Sequence, residues 1–361
     1  MSVFGQRLAA SLIALVLAGA CHATAQERPL EARLQIAFDK GQLSGLHSFL
    51  LIHDGEILAE RHFAGIDRRW GGTWSTRKNS AGTLHGLRSV TKSIIGLLYG
   101  IALAEGKVPD IDKSLIMQFP EYADLARDPK RKAILVDHAL SMRMGTEWNE
   151  ELSYLDPKNS ARAMEYTKDP VRFALDRPIV REPGKQTTYN SGAVAVIAKL
   201  IERGSGLPID KYAALRLFNP LGIEAFEWAR RADGTVVAYS GLRLNIHDLA
   251  KVGELVIQNG KFRGRQILPA QWIAASTRPR SVHKNGTNYG YLWWLIPERW
   301  RGLPELIAGL GNGGQVLAIH PKRKFIAVMF AGNYNDADYG KLPLKVMTEF
   351  VVPAIMNKPE K

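Results

Sequence analysis

Two strand-like hairpins lie near opposite ends of this 361-residue chain, and they constrain its fold more than any other feature. The first joins residues 46–53 to 56–63 across Asp54-Gly55, a dipeptide typical of a two-residue β-turn. The second joins residues 316–320 to 325–331, and residues 291–296 form a further strand candidate. The pattern predicts an α+β fold: an antiparallel sheet built from both chain ends and flanked by helices, plus a mostly helical lobe.

The segment between the hairpins shows helical patterns. Residues 94–103 form an apolar run that predicts a buried helix ending at Gly106. Further helices are predicted over residues 193–203, 245–258, 269–276 and 342–356. The helix over 193–203 is predicted to end at Gly204. We predict one domain over residues 26–361, with a sheet lobe at about 30–87 and 288–361 and a helical lobe at about 88–287.

The first 25 residues resemble a secretory signal peptide. Arg7 precedes an apolar stretch over residues 8–20, and Ala23-Thr24-Ala25 is typical of a cleavage site. Cleavage there would remove Cys21, the single cysteine, and so exclude disulfides and cysteine nucleophiles from the mature chain. We therefore predict an exported, periplasmic protein. The alternative is a lipoprotein anchored through Cys21.

The chain is basic, with a formal net charge of +13. Its lysines and arginines are dispersed, with only short local runs such as residues 322–324, so nucleic acid is not expected as a partner. The charge favours solubility or association with an anionic cell envelope. The nine histidines form no H-x-x-x-H or H-x-H pair, so neither a metal nor another cofactor is expected. The oligomeric state stays open.

A serine and a lysine begin the apolar run, in the tetrad Ser89-Val90-Thr91-Lys92. Residues three apart on a helix share a face, so the lysine amine can reach the serine hydroxyl. An apolar helix removes water from the amine and lowers its pKa, which suits a base beside a nucleophile. The alternative is an ordinary N-cap serine. Two other S-x-x-K matches, at Ser75 and Ser281, begin no apolar helix.

Two more segments carry candidate chemistry. Tyr189 follows a Pro-Gly turn and precedes a helix, where it could shuttle protons if nearby cations favour the phenolate. A half-buried tyrosine with a satisfied hydroxyl is the alternative. The glycine-rich residues 309–315 lead into a strand whose amides could bind an oxyanion, or they form only a tight turn.

Taken together, these motifs resemble those of the serine β-lactamase and penicillin-binding protein superfamily. Their order is most similar to the class C branch, which includes family VIII esterases and 6-aminohexanoate-dimer hydrolases. The resemblance spans roughly residues 46–355 and includes residues 88–93, 182–184, 189–192, 240–243 and 311–315. It implies a β-lactamase/transpeptidase-like catalytic domain that forms an acyl-enzyme.

The resemblance also implies a role for each candidate residue. Ser89 would be the acylated nucleophile, Lys92 its activating base, and Tyr189 the general base or acid. Backbone amides of Ser89 and of Gly314 or Gln315 would form the oxyanion hole. Substrate contacts would come from Ser191, Asn312, Gly313 and Trp293. Tyr291, Trp293, Trp294 and Trp148 would line an apolar acyl pocket, or pack in the core.

Two departures from the class C pattern narrow the expected substrate. The chain has Tyr189-Asn190-Ser191 where those β-lactamases have Tyr-x-Asn, and glycine or asparagine where they have Lys-Thr before glycine. The lysine of that pattern, which this chain lacks, is a cation that would hold the carboxylate of a β-lactam. We therefore predict a serine hydrolase of small carboxylic esters or linear amides. The alternatives are a weak β-lactamase or D-amino-acid peptidase, and a non-catalytic descendant that binds peptidoglycan or a partner protein.

Overall fold

The structure is a computed structural model that describes residues 28–69 and 72–356. The predicted signal peptide and Cys21 lie outside these residues. Within them, no helix is long and apolar enough to cross a membrane.

The main sheet has eight antiparallel strands in the order β10-β11-β12-β13-β14-β15-β1-β2. Its strands are β1 (Leu46–His53), β2 (Glu56–His62), β10 (Ser281–Val282), β11 (Asn288–Tyr289), β12 (Trp294–Ile296), β13 (Leu306–Gly311), β14 (Gln315–His320) and β15 (Phe325–Ala331). Strand β1 pairs with both β2 and β15, so strands from the two ends of the chain are neighbours near one edge of the sheet. This arrangement confirms the predicted fold class.

Seven short strands form small accessory sheets. They are β3 (Gly65–Arg68), β4 (Trp74–Arg77), β5 (His85–Gly86), β6 (Glu227–Trp228), β7 (Leu242–Leu244), β8 (Lys261–Phe262) and β9 (Arg265–Gln266). Strands β3 and β4 pair with each other, as do β8 and β9, whereas β7 lies between β5 and β6.

The described helices cover both faces of the main sheet. They are α1 (Leu30–Asp39), α2 (Thr91–Ala104), α3 (Pro129–Lys132), α4 (Val136–Leu140), α5 (Ser160–Glu165), α6 (Pro170–Leu175), α7 (Ser191–Ser205), α8 (Ile209–Ala213), α9 (Ile246–Ile257), α10 (Ala270–Ser276), α11 (Lys341–Val346) and α12 (Val352–Met356). Leu50 of β1 joins the core that contains α2, α7 and α9, whereas Phe49 and Leu51 join the core beneath α1 and the C-terminal helices. This alternation is that of a strand buried on both faces.

The first hairpin has the predicted turn. Asp54 and Gly55 have φ angles of 51° and 85°, as both central residues of a type I′ turn require. Helix α7 begins at Ser191, two residues before its predicted start, because Asn190 caps it by accepting from the amide of Ala193 at 2.9 Å. Its predicted end at Gly204 is wrong. The left-handed residue that ends it is Gly206, with a φ of 70°.

The predicted strand over residues 291–296 is wrong in its first half. Leu292 has a φ of 62°, and its amide donates to the carbonyl of Leu140 at 3.0 Å, away from the sheet. The apolar pattern there reflects burial between the sheet and the helices, because a fully buried loop has no alternation that distinguishes it from a strand. The predicted closing helix is present from Lys341 to Met356, with a π-helical turn over Met347–Val351.

Candidate active site

Ser89 lies in a tight turn that leads into α2. The turn is a 3-10 helix over Arg88–Val90, and Arg88 has a φ of 50°, an uncommon conformation for a residue with a side chain. This backbone presents the half-buried Ser89 hydroxyl to two cavities that meet beside it.

Lys92, one turn along the helix, is almost completely buried. Its Nζ atom donates to Oγ of Ser89 at 3.0 Å and to the carbonyl oxygen of Tyr239 at 2.9 Å. Burial lowers the pKa of Lys92 to about 8, against an opposing effect of the Glu150 carboxylate. A neutral amine is therefore accessible at mildly alkaline pH, directly beside the serine hydroxyl.

Tyr189 lies beside both Lys92 and Ser89. Its ring centroid is 5.0 Å from Nζ of Lys92, and its ring stacks on Trp294 at a centroid distance of 5.6 Å. Burial raises the pKa of Tyr189 well above its usual value, although a hydrogen bond with Ser89 partly offsets this effect. The expectation that nearby cations favour its phenolate is therefore not supported, because burial and the nearby Glu150 carboxylate both favour the neutral form. Tyr189 is a neutral phenol.

Strand β13 passes directly over the Ser89 turn, and its glycines permit this approach. A Cβ atom on Gly309 would lie 2.9 Å from Cγ1 of Val90, and one on Gly311 would lie 2.5 Å from the carbonyl oxygen of Leu87. Residues alternate between the two faces of a strand, and the intervening Leu310 and the following Asn312 line the large cavity together with Ser89.

The structure does not bring the predicted oxyanion residues Gly314 and Gln315 to these cavities. The Gly314 amide donates to the carbonyl of Gly311 at 3.2 Å, within the turn that joins β13 to β14. Gln315 is completely buried, and its side chain bonds the backbone of Ala331. The error arises because residues 309–315 contain both the end of a strand and its turn, which composition alone does not separate.

Two of the predicted substrate contacts also lie elsewhere. Gly313 is buried in the same turn, where a Cβ atom would lie 2.6 Å from the Tyr334 ring. Trp293 is completely buried in the core and lines neither cavity, so its prediction as a substrate contact is wrong. Its neighbour Trp294 faces the opposite way and lines the large cavity, as does Trp148.

Ser191 and Asn312 do line a cavity beside Ser89. The Ser191 hydroxyl donates to Oε2 of Glu150 at 2.8 Å, and Asn312 exchanges side-chain hydrogen bonds with Asn335. Glu150 was missed by the sequence analysis. It accepts from Trp148 and Tyr154 as well, at 2.5 and 3.0 Å, and no motif marks it because Ser191 is 41 residues away in the sequence.

The two cavities differ in size and lining. The larger, of about 770 Å³, is lined by Tyr189, Glu150 and the indoles of Trp148, Trp294 and Trp300. The smaller, of about 300 Å³, lies toward β3 and α5. No group of three or more histidine, cysteine or acidic side chains that could hold a metal ion occurs within residues 28–69 and 72–356.

The fold and this site define a class of protein. A profile of the β-lactamase family matches residues 32–344, most of the chain. The chain therefore belongs to that family of serine hydrolases, and the resemblance found in its motifs is confirmed.

Individual relatives agree with this assignment. The chain is 24% identical over 317 residues to the 6-aminohexanoate-dimer hydrolase of Paenarthrobacter ureafaciens, covering 81% of this chain and 73% of that protein. Among solved structures, EstCE1, a hydrolase with promiscuous acyltransferase activity, superposes with a TM-score of 0.69 at 16% identity, covering 90% of this chain and 98% of the other. A family VIII carboxylesterase superposes with a TM-score of 0.63 at 17% identity, covering 88% and 98%.

Proposed function

We propose that this protein hydrolyses carboxylic esters or linear amides through an acyl-enzyme on Ser89. The observation that carries the proposal is the 3.0 Å contact between Oγ of Ser89 and Nζ of Lys92, an amine whose pKa burial lowers to about 8. A binding protein has no need of a buried, deprotonatable lysine beside a serine. The relatives named as an amide hydrolase and a carboxylesterase support the same substrate class.

Acylation begins with proton transfer from Ser89 to Lys92. The carbonyl of Tyr239 holds one N–H of the neutral amine, which leaves its lone pair toward the serine hydroxyl. As Oγ bonds to the substrate carbonyl carbon, the amine takes the hydroxyl proton and the carbonyl oxygen becomes an oxyanion. Removing the base in such a step costs about 10²–10⁴-fold in rate.

Backbone amides are the candidates for binding that oxyanion. The Ser89 amide lies in the turn that leads into α2. Asn312 directly follows β13 and lines both cavities beside Ser89. We assign the second donor to the Asn312 amide, in place of Gly314 or Gln315. One donor of this kind is worth about 3–4 kcal/mol at the transition state.

Tyr189 completes the cycle as a proton donor. Its neutral phenol protonates the departing alcohol or amine as the bond between the carbonyl carbon and the leaving group breaks, and the Lys92 ammonium returns a proton to Tyr189. Water then attacks the carbonyl carbon of the acyl-enzyme and gives one proton to the neutral Lys92. As the bond between this carbon and Oγ breaks, the Lys92 ammonium returns that proton to Ser89 and the carboxylic acid leaves. The serine proton thus ends on the leaving group, and a water proton restores the serine.

Covalent labelling tests this proposal most directly. We expect a fluorophosphonate probe to give an adduct on Ser89 by mass spectrometry, and Ser89→Ala to lose both the adduct and the hydrolysis of short-chain nitrophenyl esters. Ser75→Ala is the matched control, because Ser75 begins another S-x-x-K match on the exposed strand β4. Nitrocefin and 6-aminohexanoate dimer serve as β-lactam and amide substrates. Ester hydrolysis that survives Ser89→Ala would contradict the proposal.

We further propose that the protein is exported to the periplasm and cleaved after Ala25. The support is the leader pattern in residues 1–25, and the basic composition favours association with an anionic envelope. Mass spectrometry of the N-terminus from a periplasmic fraction tests this: an N-terminal Gln26 supports cleavage, whereas a lipid-modified Cys21 would show an anchored protein.

A further inference from the structure

The smaller cavity beside Ser89 is strongly cationic. Four arginines line it, and Glu165 is the single carboxylate among its described lining residues. The four are Arg68 and Arg69 at the end of β3, Arg88 in the Ser89 turn, and Arg162 on α5. We call this cavity the arginine chamber.

Two of these guanidinium groups are held in place by neutral partners. Nε of Arg68 donates to the carbonyl of Gly72 at 2.8 Å, and an Nη atom of Arg162 donates to the carbonyl of Tyr154 at 3.2 Å. Neither arginine forms an ion pair with a carboxylate in the part of the chain that the structure describes. Both charges therefore remain available to a ligand, whereas Arg69 already pairs with Glu227 at 2.9 Å.

A third guanidinium group of the chamber belongs to Arg88, the residue before Ser89. The guanidinium of Arg88 lies 4.3 Å from the ring centroid of Tyr334, which also lines the chamber. Burial raises the pKa of Glu165 to about 7, so near neutral pH it offsets only part of the positive charge. The chamber thus carries a net positive charge directly beside the reacting serine.

The size of the chamber limits what enters it. A volume of about 300 Å³ corresponds to roughly ten water molecules at about 30 Å³ each, enough for a short chain with a terminal charged group. Tyr189, the proposed proton donor to the leaving group, lines the larger cavity and not the chamber. The leaving group therefore occupies the larger cavity, and the acyl part of the substrate occupies the chamber.

We propose that the acyl part of the substrate ends in a carboxylate, and that the preferred substrates are monoesters or monoamides of short dicarboxylic acids. Guanidinium groups bind carboxylates through paired, charge-assisted hydrogen bonds, which matches the lining by Arg68 and Arg162. Hydrolysis then consumes one water and releases the dicarboxylic acid and the alcohol or amine. This inference rests on the proposed function.

The arginine chamber supplies positive charge beside Ser89 although the strand lysine of the class C pattern is absent. The class C pattern places a carboxylate-binding cation on the strand next to the serine, and here that strand has glycine and asparagine. Positive charge has not been lost from the site, because β3, the Ser89 turn and α5 supply it on the acyl side. Loss of the strand lysine therefore argues against a β-lactam carboxylate but not against an anionic acyl group.

The test compares three esters: monomethyl glutarate carries a carboxylate on its acyl part, acetoxyacetate carries one on its leaving group, and methyl pentanoate carries none. Hydrolysis is followed by proton NMR with the purified mature protein. We expect kcat/KM for monomethyl glutarate to exceed that for methyl pentanoate by about tenfold or more. We expect this ratio to fall with added salt.

Variants assign the preference to the chamber. Arg162→Gln and Arg68→Gln are each expected to lower the ratio by about tenfold, mainly through a lower kcat/KM for monomethyl glutarate. Arg162→Lys should restore part of it. Arg265→Gln, an exposed arginine on β9, controls for the loss of net charge.

The possible results separate the carboxylate site, its assignment to the acyl part of the substrate, and the proposed function. A ratio near one, or a high ratio that survives both glutamine variants, would overturn the chamber as a carboxylate site. A preference for acetoxyacetate would place the anion on the leaving group and overturn the acyl assignment. Absence of hydrolysis of all three esters, with no fluorophosphonate adduct on Ser89, would instead remove the proposed function itself.

Discussion

Nζ of Lys92 lies 3.0 Å from Oγ of Ser89, at the bottom of two cavities that share the serine. The lysine is buried by its own apolar helix, and this burial is what makes its amine a base. The pair is therefore both a packing feature and the centre of the proposed chemistry.

The pH dependence of kcat/KM should report Lys92. Because burial lowers its pKa to about 8, the amine is protonated below that pH and cannot accept the Ser89 proton. We expect kcat/KM to rise with pH through about 8 and then level off. Lys92→Met should lower kcat/KM about 10²–10⁴-fold, whereas Lys199→Met, at an exposed site on α7, should leave it unchanged. A profile with no change between pH 7 and 9 would contradict the role of Lys92.

Glu150 should tune that pKa. Its carboxylate raises the pKa of Lys92 by charge attraction, so Glu150→Gln should lower this pKa further and move the acidic limb of kcat/KM to lower pH. The glutamine can still accept the Ser191 amide hydrogen bond, which limits structural damage. A limb that moves to higher pH would show that Glu150 does not act through Lys92.

Tyr189→Phe separates proton donation from packing. The phenol matters most when the leaving group is basic, so methyl ester or amide hydrolysis should fall about a hundredfold. Nitrophenyl esters, whose leaving group departs without protonation, should change far less. Tyr289→Phe is the control, because Tyr289 is also buried and its ring centroid lies 6.4 Å from that of Tyr189. Equal losses on both substrate classes would point to a structural role for the hydroxyl.

Gly309→Ala should separate β13 from the Ser89 turn. The new methyl group would lie 2.9 Å from Cγ1 of Val90, closer than real contacts allow. We expect a loss of about 1–3 kcal/mol in the free energy of unfolding, measured by urea denaturation, together with lower esterase activity. Gly82→Ala has open space for its methyl group and should change neither.

The adjacent tryptophans should respond in opposite ways. Trp293→Ala empties a fully buried site and should cost about 3–5 kcal/mol in the free energy of unfolding. Trp294→Ala should have a smaller effect on stability but lower kcat/KM about tenfold for esters with an aromatic leaving group, because its indole lines the larger cavity. Thermal denaturation and ester kinetics on both variants distinguish the two positions.

The part of the fold that was predictable from sequence is the part encoded by local patterns. The Asp54-Gly55 turn and the long apolar helix each follow from residues close together in the chain. The strand predicted over residues 291–296 failed in its first half because burial by distant helices gives an apolar run without any strand geometry.

The sequence by itself indicated the candidate nucleophile Ser89, its neighbour Lys92 and the family, because S-x-x-K spacing and an apolar helix are local properties. Only the tertiary structure decided which glycines approach Ser89, which of two adjacent tryptophans faces the cavity, and that Glu150 and the arginine chamber belong to the site. These features depend on which face of a strand a residue occupies and on contacts between segments more than 40 residues apart, as where Arg68 and Arg162 line one cavity. Neither of these is set by any short stretch of the chain.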